Sequence, residues 1–233
     1  MTTYRQVPLS LIYVGLTDAS TRLYKRRSRL WADDAWAFFA FVCLIIQVVT
    51  VFLHVPVPNN FSKTARVSAY YLMCLTFYLV IWLSRLSILF SIVRIHPSPS
   101  ARKHLFWVAV SFVTAVLFFF GQLLWVCETE PLWKDAPNPQ CHLPQQVAIC
   151  QLVTDVLADS ILLFAPLQLF RSLADKMLRR KLTLIFSTCV VTTIVSLVHA
   201  AFILRNGGVK EIISAIVEDC LSLIVANVPG KIL

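Results

Sequence analysis

Apolar residues run along this chain in long blocks rather than at alternate or helical-face positions, and charges and prolines gather in the short stretches between the blocks. A run of roughly 20 apolar residues is long enough to cross a hydrocarbon layer of ~30 Å as a helix. The pattern predicts six strong spans at about 35–57, 67–93, 105–126, 146–170, 182–204 and 210–228, each bounded by charges, prolines or glycines. A seventh, at about 3–21, is weaker, because its apolar stretch from Val7 to Leu16 is short and contains Pro8, Ser10 and Gly15. The same segment also reads as a signal peptide behind Arg5. Cleavage near Asp18-Ala19-Ser20 would send the basic residues that follow to the outer face, so the helix is the preferred reading. The expectation is a single all-α domain over 1–233, a polytopic transmembrane bundle of seven helices whose first helix is short or truncated.

Lysine and arginine set the direction. One set of alternate loops carries Arg22, Lys25, Arg26, Arg27 and Arg29, then Arg94, Arg102 and Lys103, then Arg171, Lys176, Arg179, Arg180 and Lys181. The other set carries only Lys63, Arg66, Lys134, Arg205 and Lys210. Thirteen against five assigns the first set to the cytosol, with the C-terminus cytosolic and the N-terminus outside. Trp31, Trp36, Trp107, Trp125 and Trp133 fall near the span ends, where an amphipathic ring suits the interface, whereas Trp82 reads as packing.

Composition narrows the class. The chain is 58% apolar and only 14% charged, against about 25% charged in soluble domains. Its net charge of +9 sits in clusters between spans, so it reads as topology and attraction to anionic lipid rather than as a nucleic-acid surface. Of seven cysteines none forms a zinc-type CxxC pair, and Cys43, Cys74, Cys150, Cys189 and Cys220 lie within apolar runs.

The remaining two, Cys127 and Cys141, frame the longest outer loop. On the oxidising side of a secretory-route membrane they are expected to form a disulfide, with two free thiols as the alternative. Closing a loop of that size restricts the unfolded chain by about 3 kcal/mol in the chain-entropy model. Three prolines stiffen the loop, which reads as a cover over an outer vestibule or as an ordinary connector.

Ionisable residues at membrane depth are few: Arg85, Asp155, Asp159, His199, Glu218 and Asp219. Each costs several kcal/mol in hydrocarbon unless it finds a partner or water. Asp155 and Asp159 share a helix face, and Arg85 is the cation at a suitable depth. The expected cluster pairs Arg85 with Asp159, while Asp155 and the Glu218-Asp219 pair approach from the facing side. Such a cluster can hold helices together, anchor a ligand or switch, or carry protons or ions. His199 reads as a core histidine with a satisfied hydrogen bond, and Gln47, Gln122, Gln151 and Asn227 as interhelical hydrogen-bonding groups. No phosphate-binding glycine loop, HExxH or GxSxG occurs, so no enzyme, metal site or cofactor is expected. Every lysine lies in a loop or at a span end, which leaves no Schiff-base amine for retinal.

Several local patterns, taken together, resemble the fungal rhodopsin-domain family of seven-helix membrane proteins, especially its basidiomycete-type members. They are Arg22, Arg26 and Asp33-Asp34 leading into the second span, and Leu83-Ser84-Arg85-Leu86-Ser87-Ile88-Leu89 in the third. Further along come Cys127, Trp133 and Cys141 in the outer loop, Asp155, Asp159 and Pro166, then Ser196 to Ala200, and Glu218 to Pro229. The likeness covers roughly residues 20–229 and implies a seven-helix, receptor-like fold without retinal. The sequence departs from the family in its short first helix and in ending at Leu233 without a cytosolic tail. The leading functional expectation is a sensor of an extracellular ligand, acting on a cytosolic signalling protein from the plasma membrane or another secretory-route membrane. The alternatives are a small proton-coupled or solute transporter that uses the intramembrane carboxylates, and a structural membrane subunit.

Overall fold

Helix starts fall where the sequence supplies an acid, a cap or a proline. In the computed structural model, which describes residues 13, 14, 17, 21, 31–54, 62–96, 98–136, 139–141, 143–165, 176–204 and 209–232, helix α1 runs Ala32–His54 with Asp33 and Asp34 in its first turn. Acids there meet the positive end of the helix dipole. Ser62 opens α2, Lys63–Ile95, its hydroxyl accepting the Ala65 N–H at 3.3 Å. Pro99 opens α3, Pro99–Thr129, at a position whose missing N–H removes no helical bond. A short 3₁₀ turn, Pro131–Asp135, follows. Pro144 precedes α4, Gln145–Phe164, and the last two helices are α5, Lys176–Leu204, and α6, Val209–Ile232. At 33 residues, α2 is about 50 Å long and outruns the hydrocarbon, so Lys63 and Arg94 at its ends reach the polar layers.

Much of the predicted span at 3–21 lies outside the described residues, as do Pro166 and the basic residues Arg22, Lys25, Arg26, Arg27 and Arg29. Lys176, Arg179, Arg180 and Lys181 belong to α5, but their side chains fall outside the description.

Helix α2 is the most connected of the described helices. Helix α2 packs against α1, α3, α4 and α6, while the remaining contacts join α3 to α4, α4 to α5, α5 to α6, and α6 to α1. Of the apolar stretch of α2, 78% is buried, against 28% in α1 and α3 and 39% in α4. The apolar sequence of α2 is therefore protein core. The apolar sequence of α1, α3 and α4 is largely outer surface.

That surface has its polarity reversed relative to a water-soluble bundle. Phe38, Ile45, Val49 and Phe52 stand exposed on α1, and Val110, Val113, Leu117 and Leu124 on α3. Gln47, Ser84, Arg85, Asp155, Asp159, Glu218 and Asp219 are buried. Apolar surface of this extent is not left in water by soluble proteins, and buried polar groups facing the bundle interior are what hydrocarbon demands. Helices α1 to α4 are each long and apolar enough to cross a membrane, and α5 contributes a shorter apolar stretch, Val190–Ile203. The fold is an all-helical membrane bundle.

Candidate functional site

Among the described residues Arg85 is the one buried lysine or arginine, and it stands on α2. Arg85 is 5% exposed, and its guanidinium lies 5.1 Å from the centre of the Trp82 ring, one turn away. Its Nη1 donates to Asp155 Oδ1 at 2.5 Å and its Nε to Asp159 Oδ1 at 3.0 Å. The i, i+4 spacing of the two aspartates on α4 presents both to one planar cation, so the repulsion between them is offset by a shared partner. Asp159 is held from its other side by α5, where Thr193 donates to Oδ2 at 2.9 Å and Thr192 at 3.5 Å. One buried network thus ties α2, α4 and α5.

Glu218 and Asp219 divide. Consecutive residues on a helix point about 100° apart. Glu218 turns toward α5, where Ser196 donates to its Oε1, and feels the charges of Asp155, Arg85 and Asp159. Asp219 turns away toward Gln47 and Cys43 on α1. The structure therefore brings Arg85, Asp155, Asp159 and Glu218 together and leaves Asp219 outside the group, and Asp155 bonds to Arg85 directly rather than from the facing side. Glu218 Oε2 and both Asp219 carboxyl oxygens are buried with no hydrogen-bond partner among the described residues.

A second polar site lies at the opposite end of α2 from the disulfide loop. Asp33 and Asp34 are fully buried. Ser87 donates to the Asp33 carbonyl at 2.8 Å and Ser91 to Asp33 Oδ2 at 3.2 Å, with Arg94 Nη1 3.9 Å from Oδ1. Beyond their part in the family resemblance, the sequence offered only their place in a helix first turn, where aspartate is commonplace, so their burial was not legible.

At the other end, Cys127 and Cys141 are joined by a disulfide. The loop between them is pinned onto α2. Tyr70 donates to the Cys141 carbonyl at 3.0 Å, Trp133 Nε1 to the Cys127 carbonyl at 2.9 Å, and Tyr71 to Glu128 at 2.7 Å. The Trp133 ring sits 5.1 Å from that of Tyr70 and 5.6 Å from that of Tyr71. Trp133 is thus a packing residue of the loop, while Trp107 and Trp125 stand exposed.

Beneath this loop a small cavity of about 60 Å³ opens among the helices. Six elements bring polar side chains to it: Gln47 from α1, Tyr70 and Tyr78 from α2, Gln140 from the loop, Gln151 from α4, His199 from α5 and Glu211 from α6. A volume of this size holds a few water molecules and lies well below the ~300–1,000 Å³ of small-molecule sites. His199 is bonded through Nδ1 to Ser214 Oγ at 2.7 Å and packs 5.1 Å from the Phe77 ring. Among the described residues no group of three metal-ligating side chains converges. Glu211 escaped the sequence reading because it stands in the first turn of its helix, another ordinary place for an acid.

The cavity and the buried polar group share α2, α4, α5 and α6. Gln151 is one turn from Asp155 on α4, and His199 is three residues from Ser196 on α5. Cavity-lining residues thus stand within one turn of groups that hold Arg85 or Glu218.

The family profile described as the fungal rhodopsin domain matches residues 19–230 of this chain. No curated protein matches it. The chain belongs to the fungal rhodopsin-domain family and is an integral membrane protein.

Proposed function

We propose that this member of the fungal rhodopsin-domain family is a receptor-like sensor. A ligand enters at the disulfide-loop end, taken as outside from the distribution of lysine and arginine. It shifts the packing of α4 and α5 against α2, and the cytosolic loops 22–29 and 171–181 carry the change to a signalling protein. The observation that supports this reading is the sharing of α4 and α5 between the cavity and the Arg85 network, with Gln151 and Asp155 on one helix and Ser196 and His199 on the other. A ligand biases such an element only by binding its two arrangements unequally, and groups one turn apart supply that difference. The bilayer is then that of the plasma membrane or another secretory-route compartment, where the disulfide persists.

The test is transcriptional profiling of cells that express the chain or its Asp159→Asn variant at equal surface abundance. A sensor gives distinct profiles. Identical profiles at equal abundance contradict it.

A proton-coupled carrier is the second reading, favoured by Glu218 Oε2 and the two Asp219 oxygens, buried without a hydrogen-bond partner among the described residues. It predicts proton uptake by proteoliposomes carrying an internal pH dye, lost in Glu218→Gln. Proteoliposomes as tight as empty vesicles contradict it.

A further inference from the structure

At the end of the bundle that lysine and arginine assign to the cytosol, the surface between α3 and α4 is concave. An open groove of about 450 Å³ is walled there by Leu105 of α3 and by Leu157, Ile161 and Phe164 of α4. Leu157 and Phe164 are 57% and 61% exposed, so the groove opens on the face that hydrocarbon covers. Ser160 also lines it, but its hydroxyl donates to the Val156 carbonyl at 2.7 Å, and the wall asks for no polar partner. From Leu157 to Ala165 the groove runs about 12 Å at the helical rise, most of one leaflet's share of a ~30 Å hydrocarbon layer.

The rim is a set of donors. His96, 9% exposed, lines the groove, and its Nδ1 accepts the Ser98 N–H at 3.2 Å. The ring proton is therefore on Nε2, a donor with no partner among the described residues. Arg102 Nε donates to the His96 carbonyl at 2.7 Å, while the two terminal nitrogens of Arg102 make no bond among the described residues. Ala101 and His104 complete the rim, and no described acid lines the groove. Helix α3 starts at this point behind Pro99 with no hydrogen bond from the Ser98 side chain, so the Ser100 and Ala101 N–H groups have no partner within the helix.

From this pairing of an apolar wall with a rim of donors we infer that the groove holds one anionic phospholipid of the cytosolic leaflet. Its acyl chain lies along Leu157, Ile161 and Phe164, and its phosphate sits at the first turn of α3 beside Arg102 and His96. A guanidinium, a ring N–H and a helix N-terminus are the groups that a phosphate accepts from, and basic pockets between helices on the cytosolic side suit anionic headgroups. A zwitterionic lipid brings its own cation to the same donors, and like charges set side by side are unfavourable. A soluble phosphate leaves the wall uncovered, and an apolar partner helix leaves the rim unmatched. The site is independent of the sensor reading, which neither supports nor requires it.

The experiment uses the full chain in phosphatidylcholine nanodiscs doped with a trace of lipid that carries a photoactivatable diazirine in its acyl chain. The doped lipid is phosphatidylglycerol in one sample and phosphatidylcholine in the other. After irradiation, mass spectrometry reads the labelled fraction of the peptide that contains residues 157–165. Phosphatidylglycerol is expected to label it at least about fivefold more. Arg102→Gln reduces that preference, and Ser160→Phe, which fills the groove, brings phosphatidylglycerol down to the phosphatidylcholine level. Lys63→Gln, at the far end of α2, leaves the preference unchanged. Equal labelling by the two lipids, a preference that survives Arg102→Gln or Ser160→Phe, or an equal loss in Lys63→Gln overturns the proposal. Suppression by millimolar inorganic phosphate also overturns it, by making the rim a site for a soluble anion. The two substitutions at the groove act independently, so either one decides should the other fail to fold.

Discussion

Lys63 and Arg85 stand on the same helix, about 33 Å apart at the α-helical rise, and each meets an aspartate from elsewhere in the chain. The Lys63–Asp135 pair has side chains 60% and 69% exposed. Arg85 and Asp155 are 6% and 3% exposed. Water solvates and screens the first pair, which leaves its net contribution at about 0–1 kcal/mol. The second pair has, in place of water, each partner's charge, the carboxylate of Asp159 that two threonines hold in turn, and the Trp82 ring beside Arg85. The same chemistry is therefore incidental at one end of α2 and decisive at its middle. Removing a partner from the buried pair strands a charge, at a cost of roughly 3–5 kcal/mol.

That contrast can be broken at graded points. Arg85→Ala strands both aspartates and is expected to lower unfolding stability in nanodiscs by about 3 kcal/mol or more. Replacing Arg85, Asp155 and Asp159 together with Met, Leu and Leu is expected to restore most of that loss, because the cost lies in the uncompensated charge. A thermal melt of the two proteins measures both. Cys127→Ser with Cys141→Ser opens the loop that the disulfide closes over a separation of 14 residues. This costs about 3 kcal/mol in the chain-entropy model, and a melt with and without reductant checks it. Trp133→Phe keeps a ring against Tyr70 but removes the bond to the Cys127 carbonyl, and is expected to cost about 1 kcal/mol. Lys63→Ala is expected to change stability by less than about 0.5 kcal/mol. If Lys63→Ala matched Arg85→Ala, the two ends of α2 would not differ in solvent as argued.

The sequence carries the level of each group better than its direction. Long apolar runs mark the helices, and counting residues along them sets Arg85 and the α4 aspartates at comparable depth. Which way each carboxyl turns depends on helix rotation, which packing decides. Hence Glu218 and Asp219, adjacent in the chain, serve different helices. The Asp33 site was hidden for a related reason, because an acid in a first turn looks alike whether it faces water or Ser87 and Ser91. The cavity draws its lining from six elements, and no local pattern in the sequence encodes such a convergence. Apolar runs also gave no sign of which helix is central. Length helps only in part, since α2 is the longest at 33 residues, but α3 at 31 stands at the rim.

The central claim is that the Arg85 network is a strong, buried interaction on which α2, α4 and α5 converge. A double-mutant cycle between Arg85→Met and Asp159→Asn, read as unfolding stability in nanodiscs, isolates the pair from each residue's other contacts. Charged hydrogen bonds of this kind predict a coupling of about 1.5–3 kcal/mol. A coupling below about 0.6 kcal/mol, the ordinary value for a hydrogen bond between membrane helices, would contradict the account.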